Sequence, residues 1–263
     1  MDNQYYASIG RRGGLARMKI YGNPGTPEGR RRGGFKSLES HAKNKTRFKT
    51  LGNIRIPRHS VRLAELIGIF MGDGHVGIYQ ATISTNSETD FRHAAYVKKL
   101  VEDIFHIQVG FGTRRDKKAC VVVISSKAVC RYLAEQGIPQ GNKIILGMRI
   151  PEWIRVNAGY RNAFVRGLFD TDGCVYVDAH VYKGKQYSHL GMAFANHSLL
   201  LLGFFKYALE DLGLHPTQKT KFRVFLRREK DIRRYFDLVG SSNEKHTKKF
   251  LEYVSRRNKG GVA

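Results

Sequence analysis

Two aspartates frame the chemistry. Asp73 stands near the end of the run Leu66-Ile67-Gly68-Ile69-Phe70-Met71-Gly72-Asp73-Gly74. Asp172, 99 residues later, stands at the same place in Val165-Arg166-Gly167-Leu168-Phe169-Asp170-Thr171-Asp172-Gly173. Each run reads as an apolar helix ending Asp-Gly. Small residues occupy the third and seventh places: Gly68 and Gly72 in the first run, Gly167 and Thr171 in the second. Those places are i and i+4 and share one helix face. Small residues on such a face let two backbones approach closely. If the two faces meet, the helices cross on a pseudo-twofold axis and the aspartates lie side by side at the helix ends.

A helix C-terminus is the negative end of its macrodipole and disfavours a carboxylate. Two carboxylates placed together also repel. A divalent cation accounts for the arrangement, because hard oxygen donors suit Mg²⁺. One Asp-Gly alone reads as an ordinary turn. Two of them, at matching places in a repeat and in a chain of net charge +24, point to metal-dependent cleavage of phosphodiesters.

The elements that must position these residues also repeat. Residues 61–74 read as an apolar helix and 76–85 as β-rich. An amphipathic helix is expected over 91–107, a hairpin around 116–118, and a short helix ending near Gly137. The order returns with a helix over 161–173, two strands about the turn Lys-Gly-Lys-Gln, and a helix over 198–214. A β-rich stretch over 217–228 and helices over 229–240 and 244–257 follow. Each half thus reads α-β-β-α-β-β-α, an internal duplication. The fold class is α+β, with residues 61–155 as the first repeat and 156–263 as the second. Residues 1–60 form a basic N-terminal arm.

Composition narrows the partners. The chain has 263 residues, with 46 Lys and Arg against 22 Asp and Glu. A hydrophobic share of 41% excludes disorder of the whole chain. No apolar run approaches the roughly 20 residues of a membrane helix, and no signal-peptide core is expected at the N-terminus. Cys120, Cys130 and Cys174 are odd in number without CxxC spacing, which argues against a disulfide framework or zinc site. An intracellular setting follows: cytoplasm or nucleoid, or a DNA-containing organelle. The charge points to nucleic acid. Residues 1–62 hold 15 Lys and Arg against 3 Asp and Glu. Paired glycines, prolines and the cluster Arg30, Arg31 and Arg32 suggest an extended arm without its own core. Such an arm can follow phosphates or enter a minor groove, although a solubilising basic tail has the same composition. Neither a GxxxxGK[ST] loop nor an HExxH pattern occurs.

Over about residues 60–255 the chain resembles a single-chain LAGLIDADG homing endonuclease, the two aspartate runs matching the two motifs. The resemblance implies a saddle of antiparallel strands that enters a DNA major groove. It implies that Asp73 and Asp172, with the adjoining Gly72 and Thr171, hold the catalytic metals. Mg²⁺ is the expected ion, with Mn²⁺ as a substitute and Ca²⁺ as an occupant that does not support cleavage. The sixth motif place, acidic in the pattern that names the family, is Met71 in one copy and Asp170 in the other, so Asp170 is expected to pack or cap. The family's lysines near the scissile phosphate correspond to Lys143 and Lys245, which lie 70 and 73 residues beyond their aspartates. The pairs Thr85-Asn86 and Asn196-His197 are expected to orient water or to cap helices. Expected DNA contacts in the first repeat are Gln80, Thr82, Ser84, Asn86, Arg114 and Arg115. In the second they are Tyr176, Asp178, His180, Lys183, Lys185, Asn196, Lys219, Lys221, Arg223 and Arg227, with Arg30, Arg31 and Arg32 in the arm.

The expected activity is double-strand cleavage of a long pseudo-palindromic DNA target by a monomer. The alternative is an intron maturase, with host intron RNA as partner, or a non-cleaving DNA- or RNA-binding regulator on the same scaffold. Retention of Asp at both positions favours the nuclease. Protein splicing is not expected, because the sequence starts Met1-Asp2 and ends Val262-Ala263.

Overall fold

The computed structural model describes residues 3–23, 25–43, 54–114 and 117–260. Arg115 lies outside them, as does Asp116 of the expected hairpin tip. The chain divides into two units, Met1–Gly52 and Asn53–Ala263.

The first unit corrects the extended arm. It holds two helices, α1 (Asn3–Tyr21) and α2 (Pro27–Lys43). Local capping chemistry explains them. Gly22 takes φ +78° and its N–H bonds the Met18 carbonyl at 2.8 Å, a left-handed stop that favours glycine. The Thr26 hydroxyl then accepts the Gly29 N–H at 3.1 Å. Pro27 fills the first helical place and Glu28 the first turn, both suited to a helix start. Gly29 is required there, since a Cβ would collide with the Asn23 carbonyl. The unit buries little: Tyr6, Leu15, Phe35 and Leu38 are exposed. Arg30, Arg31 and Arg32 lie exposed on α2.

In the second unit the first repeat comprises α3 (Val61–Gly72), β1 (Gly74–Val76), β2 (Ala81–Asn86), α4 (Phe91–Phe105), β3 (Gly110–Arg114), β4 (Ala119–Ile124) and α5 (Lys127–Glu135). Short helices α6 (Lys143–Leu146) and α7 (Glu152–Val156) lead to the second repeat. That repeat comprises α8 (Ala158–Asp172), β5 (Gly173–Tyr182), β6 (Lys185–Ala195), α9 (Leu199–Asp211), β7 (Thr217–Thr220), β8 (Arg223–Leu226), α10 (Glu229–Leu238) and α11 (Glu244–Gly260). The α-β-β-α-β-β-α order holds in both halves. Each repeat contributes a four-stranded antiparallel sheet, ordered β1-β2-β4-β3 and β5-β6-β8-β7.

Alternation assigns the sheet faces. Ala81, Ile83, Cys120, Val122 and Ile124 point into the core, as do Val175, Met192, Phe194, Val224 and Leu226. The opposite faces carry Thr82, Ser84 and Asn86 in the first sheet and Tyr176, Asp178 and His180 in the second. The expected turn Lys-Gly-Lys-Gln is shorter than anticipated. Only Lys183 and Gly184 form it, at φ 49° and 73°, and Lys185 and Gln186 already belong to β6.

Helices α3 and α8 pack along each other at the centre. Ser60 Oγ accepts the Leu63 N–H and Asn157 Oδ1 the Tyr160 N–H, so both helices start on a side-chain cap. Between them there is no room for a Cβ: one on Gly68 would strike the Phe164 carbonyl, and one on Gly167 the Glu65 carbonyl. Glu65, fully buried, accepts from Arg166 at 2.5 Å, Tyr96 at 2.9 Å and Ser242 at 2.5 Å. These bonds tie the repeats together in one register. Overpacking a tight contact of this kind costs about 1–3 kcal/mol. Gly68→Ala is therefore expected to lower stability by about that amount in urea unfolding. Gly112→Ala, on an open sheet face with nothing within 4 Å of the new methyl, is expected to leave the midpoint unchanged.

Candidate active site

The close crossing brings the two helix ends together. Asp73 is the C-cap of α3, and its N–H bonds the Ile69 carbonyl at 3.0 Å. Asp172 is the last residue of α8. Gly72 lets these ends meet: a Cβ there would strike Thr171 Oγ1 and lie 3.0 Å from Asp172 Oδ2. Thr171 turns its hydroxyl back to the Leu168 carbonyl at 2.9 Å.

The lysines expected to be equivalent are wired differently. Half-buried Lys143 donates to the main-chain oxygens of Phe70 (3.1 Å), Gly72 and Gly74 (2.8 Å). Its ammonium thus caps the C-terminus of α3, where a cation opposes the macrodipole. Lys245 instead pairs with buried Asp90 at 2.8 Å. Asn243, also buried, donates to the same carboxylate at 2.7 Å and to the Asp170 carbonyl at 3.1 Å. Asp90 and Asn243 escaped sequence reasoning. Asp90 is distant in sequence from Lys245, and only the contact between repeats gives the pair its meaning.

The electrostatics follow from this crowding. Burial and, next, the charge of Asp73 raise the Asp172 carboxyl to about 6, against the Asn196 hydrogen bond and Lys143, which lower it. Asp73 keeps contact with solvent, yet the protein packed around it raises its carboxyl too. Lys143 and Lys245 oppose that rise. Desolvation lowers the Lys143 ammonium, while Asp172 and Asp73 favour its charge. Asp90 goes the other way: burial pushes it up, but hydrogen bonds from Lys245 and Asn243 hold it below the usual range.

Asp170 stands apart from the pair. It is buried, accepts from the Ser241 hydroxyl and from the Ser242 N–H at 2.8 Å, and is pushed up to about 7 by burial. It anchors the loop between α10 and α11. Asn196 Nδ2 donates to Asp172 Oδ2 at 2.9 Å, while its Oδ1 accepts the Ser198 N–H at 2.7 Å. Asn86, at the corresponding place, caps Glu88 and Thr89 through Oδ1.

Gln80, Thr82, Ser84 and Asn86 alternate onto the outer side of β2 and its approach, with Arg114 on the same face of the sheet. Tyr176, Asp178, His180, Lys185 and Arg223 share the outer face of the second sheet, and Arg227 follows Arg223 in the same alternation. Lys183 is in the hairpin turn and Lys221 between β7 and β8, while Lys219 sits where the β7 register shifts. Tyr187 and His189 were missed. They face His180 and Asp178 across the hairpin, and His180 stacks on Tyr187 at 5.6 Å. The Lys183-Gly184 turn was the available signal, because a two-residue turn fixes every pairing that follows.

Oxygen donors suit a hard cation. The two carboxylates fit one, and the lysine beside them suits an anionic partner. Gly72 offers its main-chain oxygen only in competition with the Lys143 ammonium. Among the described residues no group of three His, Cys, Asp or Glu side chains could hold a metal alone. Further ligands would have to come from water or a bound phosphodiester.

Residues 159–255 match the LAGLIDADG-like domain family. Over 203 residues, 76% of the chain, the sequence is 27% identical to a replication factor C small subunit of Methanocaldococcus jannaschii. The chain spans only 10% of that relative's length. Among solved structures it is similar to the I-LtrWI LAGLIDADG homing endonuclease bound to target DNA. The TM-score is 0.53 at 10% identity, over 76% of this chain and 92% of that one. It is also similar to the LAGLIDADG meganuclease I-AabMI bound to uncleaved DNA, with a TM-score of 0.51 at 12% identity, over 74% and 91%. The duplicated topology and these similarities converge: the chain has the LAGLIDADG homing endonuclease fold, with its two four-stranded sheets carried by a single polypeptide.

Proposed function

We propose that this protein is a site-specific endonuclease that cuts both strands of a long, pseudo-palindromic duplex DNA target. The observation that carries the reading is the meeting of Asp73 and Asp172 at the ends of two helices too close for a Cβ between them. Uncompensated, this placement is unfavourable, and its worth lies in a cation and a phosphodiester arriving together. Asp73 and Asp172 would hold Mg²⁺, or Mn²⁺ in its place. When bound, the ion supplies Lewis acidity at the phosphate and a more acidic water.

The chain's own residues prepare that encounter. Lys143, fixed by three main-chain oxygens, keeps a positive charge beside the carboxylates and attracts the phosphate. Asn196 holds Asp172 by one oxygen and leaves the other open. Lys245, held by Asp90, contributes positive field at Asp73 from further away. Both carboxylates come from one chain, so the enzyme would act as a monomer. The outer sheet faces would read bases, and the N-terminal helices, with Arg30, Arg31 and Arg32, would add phosphate contacts. No helix among the described residues is long and apolar enough to cross a membrane.

The deciding experiment incubates a randomised duplex library with Mg²⁺, Ca²⁺ or chelator and sequences the cut ends. Cuts at one defined site with Mg²⁺ alone support the reading. Binding without cutting moves it to an RNA-maturing or regulatory role. Asp73→Asn and Asp172→Asn are each expected to abolish cleavage and retain most DNA affinity, as read by plasmid linearisation beside gel shift.

Asp172→Asn should also change stability. The folded pKa of about 6 lies above the ordinary 3.8, so the folded chain binds this proton more tightly than the unfolded chain does. The stability from that proton is full below 3.8 and is lost as pH rises through about 6. At neutral pH the Asn variant is expected to be more stable by on the order of 1 kcal/mol in urea unfolding. Cleavage is expected to fall at acid pH, where protons compete with the cation for Asp172, and Asn196→Ala, which removes a hydrogen bond that lowers this carboxyl, to move that acidic limb upward. Measured pH–rate profiles for the two proteins check both. Deleting residues 1–58 should weaken DNA binding and flatten its salt dependence, because lost phosphate contacts release fewer counterions. Affinity measured across a salt series reads that slope.

A further inference from the structure

The two sheets are unequal readers. The β1–β2 hairpin has three residue pairs, Gly74–Ile83 to Val76–Ala81, whereas β5–β6 has ten, Gly173–Phe194 to Tyr182–Lys185. At about 3.4 Å per residue the first spans roughly 10 Å and the second roughly 34 Å. The latter equals about one turn of duplex DNA, or about ten base pairs. Only Met192–Ala195 of β6 pairs with β8. From Tyr176–Gly191 outward the hairpin projects without a third strand.

The side chains differ as much as the lengths. On the outer face of the first sheet, central strand β4 shows Ala119, Val121 and Val123, beside Gly110 and Gly112 of β3. None of these has a side-chain hydrogen-bonding group, and apolar contact discriminates only through the thymine methyl. Thr82 and Ser84 add short hydroxyls, His75 opposite Thr82 adds one exposed imidazole, and Gln80, on the approach to β2, donates to Ser125 at 3.4 Å. Arg114 lies at the rim, and the Asn86 carbonyl oxygen is already committed to its turn.

The projecting hairpin instead sets Tyr176, Asp178 and His180 on β5 beside Lys185, Tyr187 and His189 on β6. The rings of His180, Tyr187 and His189 lie 5.6–6.3 Å apart and brace one another. Tyr176 lies over Gly191, where any Cβ would strike the ring. Asp178, 64% exposed, is informative in a chain of net charge +24. A carboxylate weakens attraction to phosphates, and beside its contact with His180 Nδ1 at 3.8 Å its exposed oxygens can accept in the groove from a base amino group, as on cytosine N4.

We propose that the target's two halves are read unequally. The β5–β6 hairpin specifies a half-site of about one helical turn, while the first repeat holds a short half-site with little discrimination between bases. This rests on the DNA-directed reading above but not on cleavage.

The test selects protein-bound sequences from a randomised duplex library in Ca²⁺ with the full chain, and compares the parent with Asp178→Ala. Selected sequences should be constrained over about ten base pairs on one side of the centre and about three on the other, following the hairpin lengths. Asp178→Ala should reduce discrimination at one base pair of the long half from roughly tenfold or more to near none. It should also tighten binding to unselected DNA. Equal constraint in both halves, or a variant profile identical to the parent's, overturns the proposal. An asymmetric profile from a protein that does not cut in Mg²⁺ supports it while overturning the nuclease reading. Failure to retain any DNA overturns both.

Discussion

The space between α3 and α8, too narrow for a methyl group, is the constraint on which the rest depends. Gly68 and Gly167 let carbonyls of the opposite helix sit where side chains would otherwise be. That approach sets the angle between two sheets grown from successive repeats. It also makes Asp73 and Asp172 neighbours although 99 residues separate them. Such closeness brings charge inside, and burial of polar groups is unfavourable without hydrogen bonds. The loop between α10 and α11 answers that need. Ser242 serves Glu65 of the first repeat and Asp170 of the second, and Asn243 joins Asp90 to the Asp170 carbonyl. The apolar seam decides how near the helices come, and the polar loop decides their register.

Duplication supplied two of everything, and the structure shows how the copies parted. Lys143 and Lys245 occupy comparable places, but one lies on the carbonyls of a helix end and the other on a buried carboxylate. Asn86 and Asn196 both close the turn that leads into the following helix through Oδ1, yet among the described residues only Asn196 donates to an aspartate. Asp172 thus has a side-chain hydrogen-bond donor that Asp73 lacks among the described contacts. The two carboxylates are therefore chemically unequal within a nearly symmetric frame.

Much of this was legible in the residues, and the misses have physical reasons. Small residues at i and i+4 in two apolar runs, Gly68 and Gly72 and then Gly167 and Thr171, expose a close helix crossing, because few other patterns require so little side chain on one face. Strand and helix order followed from periodicity. The N-terminal segment was misread because its glycines and prolines weighed as helix breakers. At Thr26, Pro27 and Gly22 they are start and stop signals, and position mattered more than composition. Sheet faces depend on register, which only the Lys183-Gly184 turn announces. The partners of Lys143 and Lys245 are invisible to spacing, since they arise from contacts some 70 residues away or across the repeats.

The long hairpin carries a further consequence for the life of the free protein. Beyond its junction with β8 neither strand has a further strand beside it, although Tyr253 of α11 donates to the Ser188 carbonyl at 3.2 Å, and Val177 and Val181 are exposed there. Bare strand edges with apolar side chains invite pairing with another copy and growth into aggregates. Lys183 at the turn and Lys185 beside it place positive charge at the tip, and like charge between copies opposes edge-to-edge assembly. The lysines proposed to meet a polyanion thus also oppose self-association of the empty protein. Neutralising them without nucleic acid to cover the edges would trade solubility for self-association.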